Sequence, residues 1–308
     1  MKLIVPFFLL LGASALFAQS NFPVTVKDAS GFSLTVPVAP RAIVSLTLAT
    51  DELLLDLVDP SRLKAIDTFA ADPGISNIAA WARTFPTRIT GDKEAVLALK
   101  PDLVLVADWK DKEFVQTLRD AGVPVFVCRT ANNFDELTAA ITALSSLVGA
   151  PEKGRQLVAR IQTRLAAVTD RIKNLTPDQR PSVLFYSFSG STYGKGTSAD
   201  ALVTAAGLVN AAARAGLSGW PTLSREQLLQ LNPDIIVLPS WNYGGKTDTA
   251  VERRQFVADP ALAGLRAIRT NRVLVLDDRH LNATSQYMAD GVEDLARAAW
   301  PELFGTKP

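Results

Sequence analysis

The chain has 308 residues, 48% of them hydrophobic and 20% charged, a globular composition that excludes a disordered protein. Lys and Arg number 32 against 31 Asp and Glu, a balance that argues against a nucleic-acid binder with its basic face. A single cysteine, Cys128, excludes an internal disulfide framework and a Cys-rich zinc site, and a single histidine, His280, argues against His-based metal sites and triads.

Residues 1–20, MKLIVPFFLLLGASALFAQS, place Lys2 ahead of an apolar run that ends in small residues. This is a signal-peptide layout, with residues 1–18 removed by a cut after Ala18. The run from Leu3 to Ala18 is short for a span of ~20 residues, and no later stretch is long and apolar enough to cross a bilayer. No cysteine lies near the cut to carry a lipid. The expected location is the periplasm, with secretion into the medium as the alternative. The remaining chain divides into an N-terminal lobe at 22–149, a connecting helix at 150–176 and a C-terminal lobe at 177–308.

Val24–Val36, with Asp28-Ala29-Ser30-Gly31 at its centre, reads as a β-hairpin. A strand follows at Ala42–Leu46, then a helix opening at Thr50-Asp51-Glu52. Residues 94–109, EAVLALKPDLVLVADW, read as a short helix, a Pro-Asp turn, a continuously apolar strand Leu103–Val106 and a terminal aromatic. A helix near Asp111–Ala121, a strand Val123–Val127 and a helix Phe134–Val148 complete the first lobe. Residues 151–174 carry Leu157, Ile161, Leu165, Val168 and Ile172 at helical spacing behind Pro151. At 1.5 Å per residue this helix reaches roughly 36 Å, a stiff spine between the lobes. Beyond Pro177 and Pro181 come a strand Ser182–Tyr186, a Gly-rich loop, a helix from Ser198, strands Ile235–Leu238 and Arg272–Leu276, and a terminal helix Thr284–Ala299.

The second lobe repeats part of the first. Residues 226–241, EQLLQLNPDIIVLPSW, match 94–109 at a constant offset of 132, with Glu, two Leu, Pro, Asp and Trp identical. Asp92 and Ser224 are N-cap candidates at the same offset, and Ser224-Arg225-Glu226-Gln227 fits a capping box. Pro101 and Pro233 stop the two helices. The predicted fold class is α/β: two Rossmann-like lobes with mostly parallel sheets joined by one long rigid helix. Ligands of open α/β sheets bind outside the strands' carboxyl ends, which directs attention to the loops after Val106, Val127, Tyr186, Leu238 and Leu276.

Five aromatics, Trp109, Tyr193, Trp220, Trp241 and Tyr243, occupy such loop positions beside Gly, Pro, Asp or Asn. Planar side chains there suit a cleft for a bulky, rigid, partly apolar ligand, against ordinary packing at loop bases. Arg129 and Arg279 follow strands and suit a ligand's carboxylates or phosphates, with solvated arginine as the plainer reading. Trp300 reads as core, Trp81 stays open and Cys128 packs as a small apolar residue. His280 reads as a polar cleft or surface side chain, with ligation of a bound metal left open. Gly190–Thr197 is not a phosphate loop: only three residues separate Gly190 from Gly194, and Gly196 follows Lys195. It reads as flexible backbone beside the cleft. Glu94 and Glu226 complement the dipoles of two equivalent helices. Their recurrence in both lobes also makes a bipolar surface for a two-fold partner with basic pockets.

These segments together resemble the periplasmic binding proteins of ABC importers for ferric siderophores, cobalamin and haem. The resemblance covers nearly all of the chain after the signal peptide. Val24-Thr-Val-Lys-Asp-Ala-Ser-Gly31 through Ala39-Pro-Arg-Ala-Ile-Val-Ser45 resembles the family's opening hairpin and first strand. Leu97-Ala-Leu-Lys-Pro-Asp-Leu-Val-Leu105 and Ser224-Arg-Glu-Gln-Leu228 resemble its helix-to-strand steps. The resemblance implies a ligand held between the lobes, a metal-chelate ligand, and Glu94 and Glu226 meeting arginines of a dimeric permease. Trp109 and Trp220 fall where cobalamin-binding members carry cleft tryptophans. The start of the first helix, Thr47-Leu-Ala-Thr-Asp-Glu52, departs from the family pattern. A non-enzymatic monomer is expected, with no resident cofactor, metal-ligand set or nucleic-acid partner. The alternatives are a sensor or scavenger without a permease and a chelatase-like enzyme, which would need histidine or a carboxylate cluster as ligand and base.

Overall fold

The apolar runs become short parallel strands covered on both faces, each fed or followed by a helix. The structure, a computed structural model, describes residues 22–240, 242–245 and 248–305. The signal-peptide segment and Trp241 therefore lie outside the described residues.

Strands β1 (Val24–Lys27) and β2 (Ser33–Val36) form the antiparallel hairpin. Its turn is organised by the buried Asp28, whose carboxylate accepts from the backbone N–H groups of Ser30 at 2.9 Å and Phe32 at 3.0 Å and from Arg119 Nη2 at 2.6 Å. The first lobe's sheet contains β3 (Ile43–Ser45), β4 (Leu63–Asp67), β5 (Arg88–Ile89), β6 (Leu103–Ala107) and β7 (Val125–Cys128) in the order β5-β4-β3-β6-β7. The second contains β8 (Ser182–Phe185), β9 (Val209–Asn210), β10 (Ile235–Leu238) and β11 (Val273–Val275) in the order β11-β10-β8-β9. Every pairing in both sheets is parallel. The fold is thus two α/β lobes with parallel sheets, as the sequence predicts.

The orders also correspond. In each lobe one strand (β3 or β8) has its successor (β4 or β9) on one side and the repeated strand (β6 or β10) on the other. The helices feeding those repeated strands, Lys93–Ala98 and Arg225–Leu231, start 132 residues apart and are capped by the side chains of Asp92 and Ser224, the latter in a capping box. Both helices end in a left-handed residue, Lys100 at φ 48° and Asn232 at φ 40°. The next acidic residue then pins the neighbouring strand's start. Asp102 accepts from the backbone N–H of Ala42 at 2.8 Å, and Asp234 accepts from that of Ser182 at 2.8 Å.

The connecting helix runs Pro151–Ile172, with Leu157, Ile161, Val168 and Ile172 buried as the spacing predicts. Gly154 lets it approach the helix Phe134–Leu147, because a Cβ there would meet Ser145 Oγ at 2.2 Å. Strands β4, β5 and β9 and the helix Thr249–Ala258 are absent from the sequence reading. Two of these strands hold two residues each, too few to show a period. The terminal helix begins at Met288, not Thr284, because Ser285 and Gln286 turn aside to bond the first lobe. The Ser187–Thr197 loop does not run free. The backbone N–H groups of Thr192, Gly194 and Lys195 donate to the carbonyls of Pro221, Gly219 and Leu217 at 2.8–2.9 Å, lacing the loop to a second ribbon.

Candidate functional site

The first lobe's chain leaves the centre of its sheet in opposite directions from β3 and β6, so a crevice opens beyond their carboxyl ends. A cavity of about 430 Å³ occupies it. Thr47 follows β3 and caps the helix Leu48–Leu57. Trp109 follows β6, Arg129 and Thr130 follow β7, and Phe69 follows β4; all line the cavity. The second lobe closes it with Asp278, Arg279, Asn282, Ala283 and Thr284, beyond β11.

Of the seven residues expected at the ligand, Trp109, Arg129 and Arg279 line this cavity. Trp109 is 70% exposed at the rim, so its indole face is free to meet a ligand. Arg279 is engaged by its neighbour: Nε donates to both oxygens of Asp277, at 2.9 and 3.0 Å, and Nη2 donates to it as well. Tyr193 and Tyr243 stand one residue back. Tyr193 Oη donates to Asn282 Oδ1 at 3.2 Å, and Tyr243 packs edge-on against Phe69 with ring centroids 5.3 Å apart. Asn282 and Phe69 line the cavity. Trp220 does not; it is 67% exposed within the ribbon that laces the Ser187–Thr197 loop, between Gly219 and Pro221. Trp300 is core, and Trp81 packs on Phe85 against the core.

The expected polar contacts were arginines, yet carboxyl groups outnumber them. Glu52, Asp67, Glu136 and Asp278 line the cavity together with Asp28, which Arg119 neutralises. Burial raises the Glu52 and Asp67 carboxyls above their ordinary range. Hydrogen bonds from Ser285 and Asn77 partly oppose this at Glu52. Behind them Asp51 is fully buried, and burial raises it further, aided by repulsion from Asp67 and Glu52. These acids carried a faint sequence signal. Asp51 and Glu52 read only as a helix start, and Asp278 stood beside a more conspicuous histidine.

His280 does not line the cavity. Its Nδ1 lies 2.6 Å from Asp294 Oδ2, which raises its pKa. Among the described residues no group of three His, Cys, Asp or Glu is arranged to hold a metal ion. Glu94 and Glu226 are exposed in the first turns of their helices and do not line the cavity.

Glu52 also ties the lobes together beneath the cavity. It accepts from Ser285 Oγ of the second lobe and from Asn77 Nδ2 at 3.0 Å. The same Asn77 amide donates to the carbonyl of Arg279 at 2.9 Å. At the rim, the Gly244 N–H donates to Asp72 Oδ2 at 2.8 Å.

Two parallel-sheet lobes on a helix, with an open cavity between them at the strands' carboxyl ends, define a cleft-type solute-binding protein. The periplasmic binding protein family's sequence model matches residues 43–280, and the chain belongs to that family. An uncharacterized ABC transporter substrate-binding lipoprotein of Bacillus subtilis is 28% identical over 290 residues, covering 92% of this chain and 87% of its own. A cobalamin-binding protein of Halobacterium salinarum is 28% identical over 287 residues, covering 91% and 74%. Among solved structures, the apo periplasmic haem-binding protein of Roseiflexus superimposes with a TM-score of 0.72 at 25% identity, covering 85% of this chain and 99% of its own.

Proposed function

We propose that the protein is the periplasmic solute-binding component of an ABC importer and that its solute is a corrinoid of the cobalamin type. Captured chelate would pass to a dimeric membrane permease docked through Glu94 and Glu226. The observation that carries the choice of solute is the excess of carboxyl groups in the cavity. A corrinoid presents primary amides at its edge, and amide N–H groups suit Glu52, Asp67, Glu136 and Asp278. Haem propionates or an anionic siderophore would instead bring hydrogen-bond acceptors to a wall that already supplies them. Trp109 at the rim offers a flat face to the corrin plane. The cobalamin-binding relative supports the same choice.

A haem-binding reading draws on the Roseiflexus neighbour. It would want a phenolate or imidazole at iron. Burial raises the Tyr193 phenol, and His280 is held by Asp294 outside the cavity.

The test is a thermal-shift panel of cyanocobalamin, haemin and a ferric hydroxamate siderophore on the purified protein. A ligand at 100 times its Kd adds ~2.7 kcal/mol of stability. Cyanocobalamin is expected to stabilise the protein and haemin is not; the reverse order would overturn the corrinoid reading.

A further inference from the structure

The cavity does not end at the floor of the cleft. It continues into the first lobe between the helices Leu48–Leu57 and Phe134–Leu147, where its lining includes Leu48, Leu53, Phe126, Ala140, Ala143 and Leu144. One flank of the second helix shows the shape. Residues 136, 140, 143 and 147 share that flank at helical spacing and read Glu, Ala, Ala, Leu. Glu136 stands at the mouth and the two alanines line the cavity, whereas Leu147 is fully buried and no longer lines it. The span from Glu136 to Ala143 corresponds to about 10 Å of helix. The connecting helix closes the far end, just past these residues. A Cβ on its Gly154 would meet Ser145 Oγ of the one helix at 2.2 Å, and its Arg160 Nη2 reaches Asp56 of the other at 2.7 Å.

This extension differs in chemistry from the cleft. Glu52 and Glu136 stand at its mouth, and neither facing helix puts a charged side chain into the lining beyond them. Glu136 is engaged at the helix start, where Oε2 accepts from the Asn132 N–H at 2.8 Å. The Thr50 hydroxyl is engaged as well, donating to the Thr47 carbonyl at 3.0 Å. Leu53, Phe126 and Leu144, at 3%, 4% and 2% exposure, form an apolar floor. Protein interiors leave few voids larger than a water molecule, and Ala140→Leu or Ala143→Leu would fill this one.

We propose that this side pocket is a second subsite of the ligand cavity, taking an uncharged planar arm carried by the chelate whose ring lies in the cleft. The pocket is continuous with the cleft and closed at its far end, so its occupant is a part of the same ligand. The inference rests on the corrinoid reading, for which the arm is the aromatic base of a cobalamin. The carboxyl groups of the cleft hold the ring by its amides, and the side pocket holds the base by burial and by contact with the Phe126 ring. The protein thereby favours a complete corrinoid over one that lacks its base.

The test compares cyanocobalamin with dicyanocobinamide, the same ring without the base, by isothermal titration of the purified chain. The parent is expected to bind cyanocobalamin more tightly by about tenfold or more. In Ala140→Leu and in Ala143→Leu the ratio of the two affinities should fall towards one. The melting temperature of each variant should stand at or above the parent's, because leucine fills apolar space. Equal parent affinities for the two corrinoids, or an undiminished ratio in both folded variants, would overturn the side pocket and leave the corrinoid reading intact. Binding of neither corrinoid would sink the corrinoid reading instead. Dimethylbenzimidazole alone then decides the pocket: a rise in the parent's melting temperature that Ala143→Leu abolishes supports it, and the absence of a rise overturns it.

Discussion

Asp51 is fully buried behind the cavity, and burial lifts its carboxyl well above the ordinary value of 3.8. The folded chain therefore holds this proton over a pH range in which the unfolded chain has released it. The stabilisation from that proton is complete below about pH 3.8 and is lost as pH rises through the raised value. Asn cannot ionise and keeps an oxygen that can accept the Asp67 N–H, which Asp51 takes at 3.0 Å. The melting temperature of Asp51→Asn relative to the parent should accordingly increase from pH 4 to pH 8. A difference independent of pH would mean that Asp51 titrates as an ordinary surface carboxyl. Trp109 tests the rim instead. With 70% of it exposed, Trp109→Ala should leave the fold unaltered and weaken cyanocobalamin binding by ~1–2 kcal/mol, roughly 5–30-fold. Isothermal titration of parent and variant would show this, and equal affinities would remove Trp109 from the site.

At the scale of elements, the turn after β4 and the turn after β10 close the rim against each other. Gly74 makes this approach possible: a Cβ there would lie 2.1 Å from the Asn242 carbonyl oxygen. That neighbour is backbone and cannot rotate aside, so Gly74→Ala must part the two turns, at ~1–3 kcal/mol. Cys128 is a built-in reporter because it lines the cavity and is the only cysteine in the chain. Burial raises its thiol pKa, so the parent should react slowly with a maleimide. Gly74→Ala should react severalfold faster, and an unchanged rate would mean that the turns do not restrict access to the cavity. None of this was legible in the sequence. Gly74 and Asn242 are far apart in the chain and carry no periodic signal. The repeated helices were legible because capping chemistry, apolar period and proline stops all agree within 16 residues. The cavity was half legible. Strand ends located Trp109 and Arg129, but no pattern shows that Glu52, Asp67 and Asp278 converge from three separate segments.

At the scale of the whole molecule, one apolar cluster spans both lobes, beside a smaller separate cluster in each. A single apolar cluster runs from Leu34 and Leu54 of the first lobe, through Leu157 and Ile161 of the connecting helix, to Leu202 and Met288 of the second. The helix is also ion-paired to both sides. Arg160 Nη2 reaches Asp56 at 2.7 Å, while Arg164 reaches Asp290 and Glu293, each at 2.8 Å. A wide hinge would have to open that cluster and break the Glu52 tie beneath the cavity. Packed interiors do not deform continuously, so closure by bending this helix carries a large cost. Ligand binding is therefore expected to bring a small adjustment of the rim turns rather than a flytrap movement. Small-angle scattering of the free and the cyanocobalamin-bound protein decides the matter. A compact chain of this length has a radius of gyration of roughly 19 Å, and the expected change on binding is well under about 1 Å. A contraction of several ångströms would show that the shared core parts in the free protein and that the helix does not hold the lobes at a fixed angle.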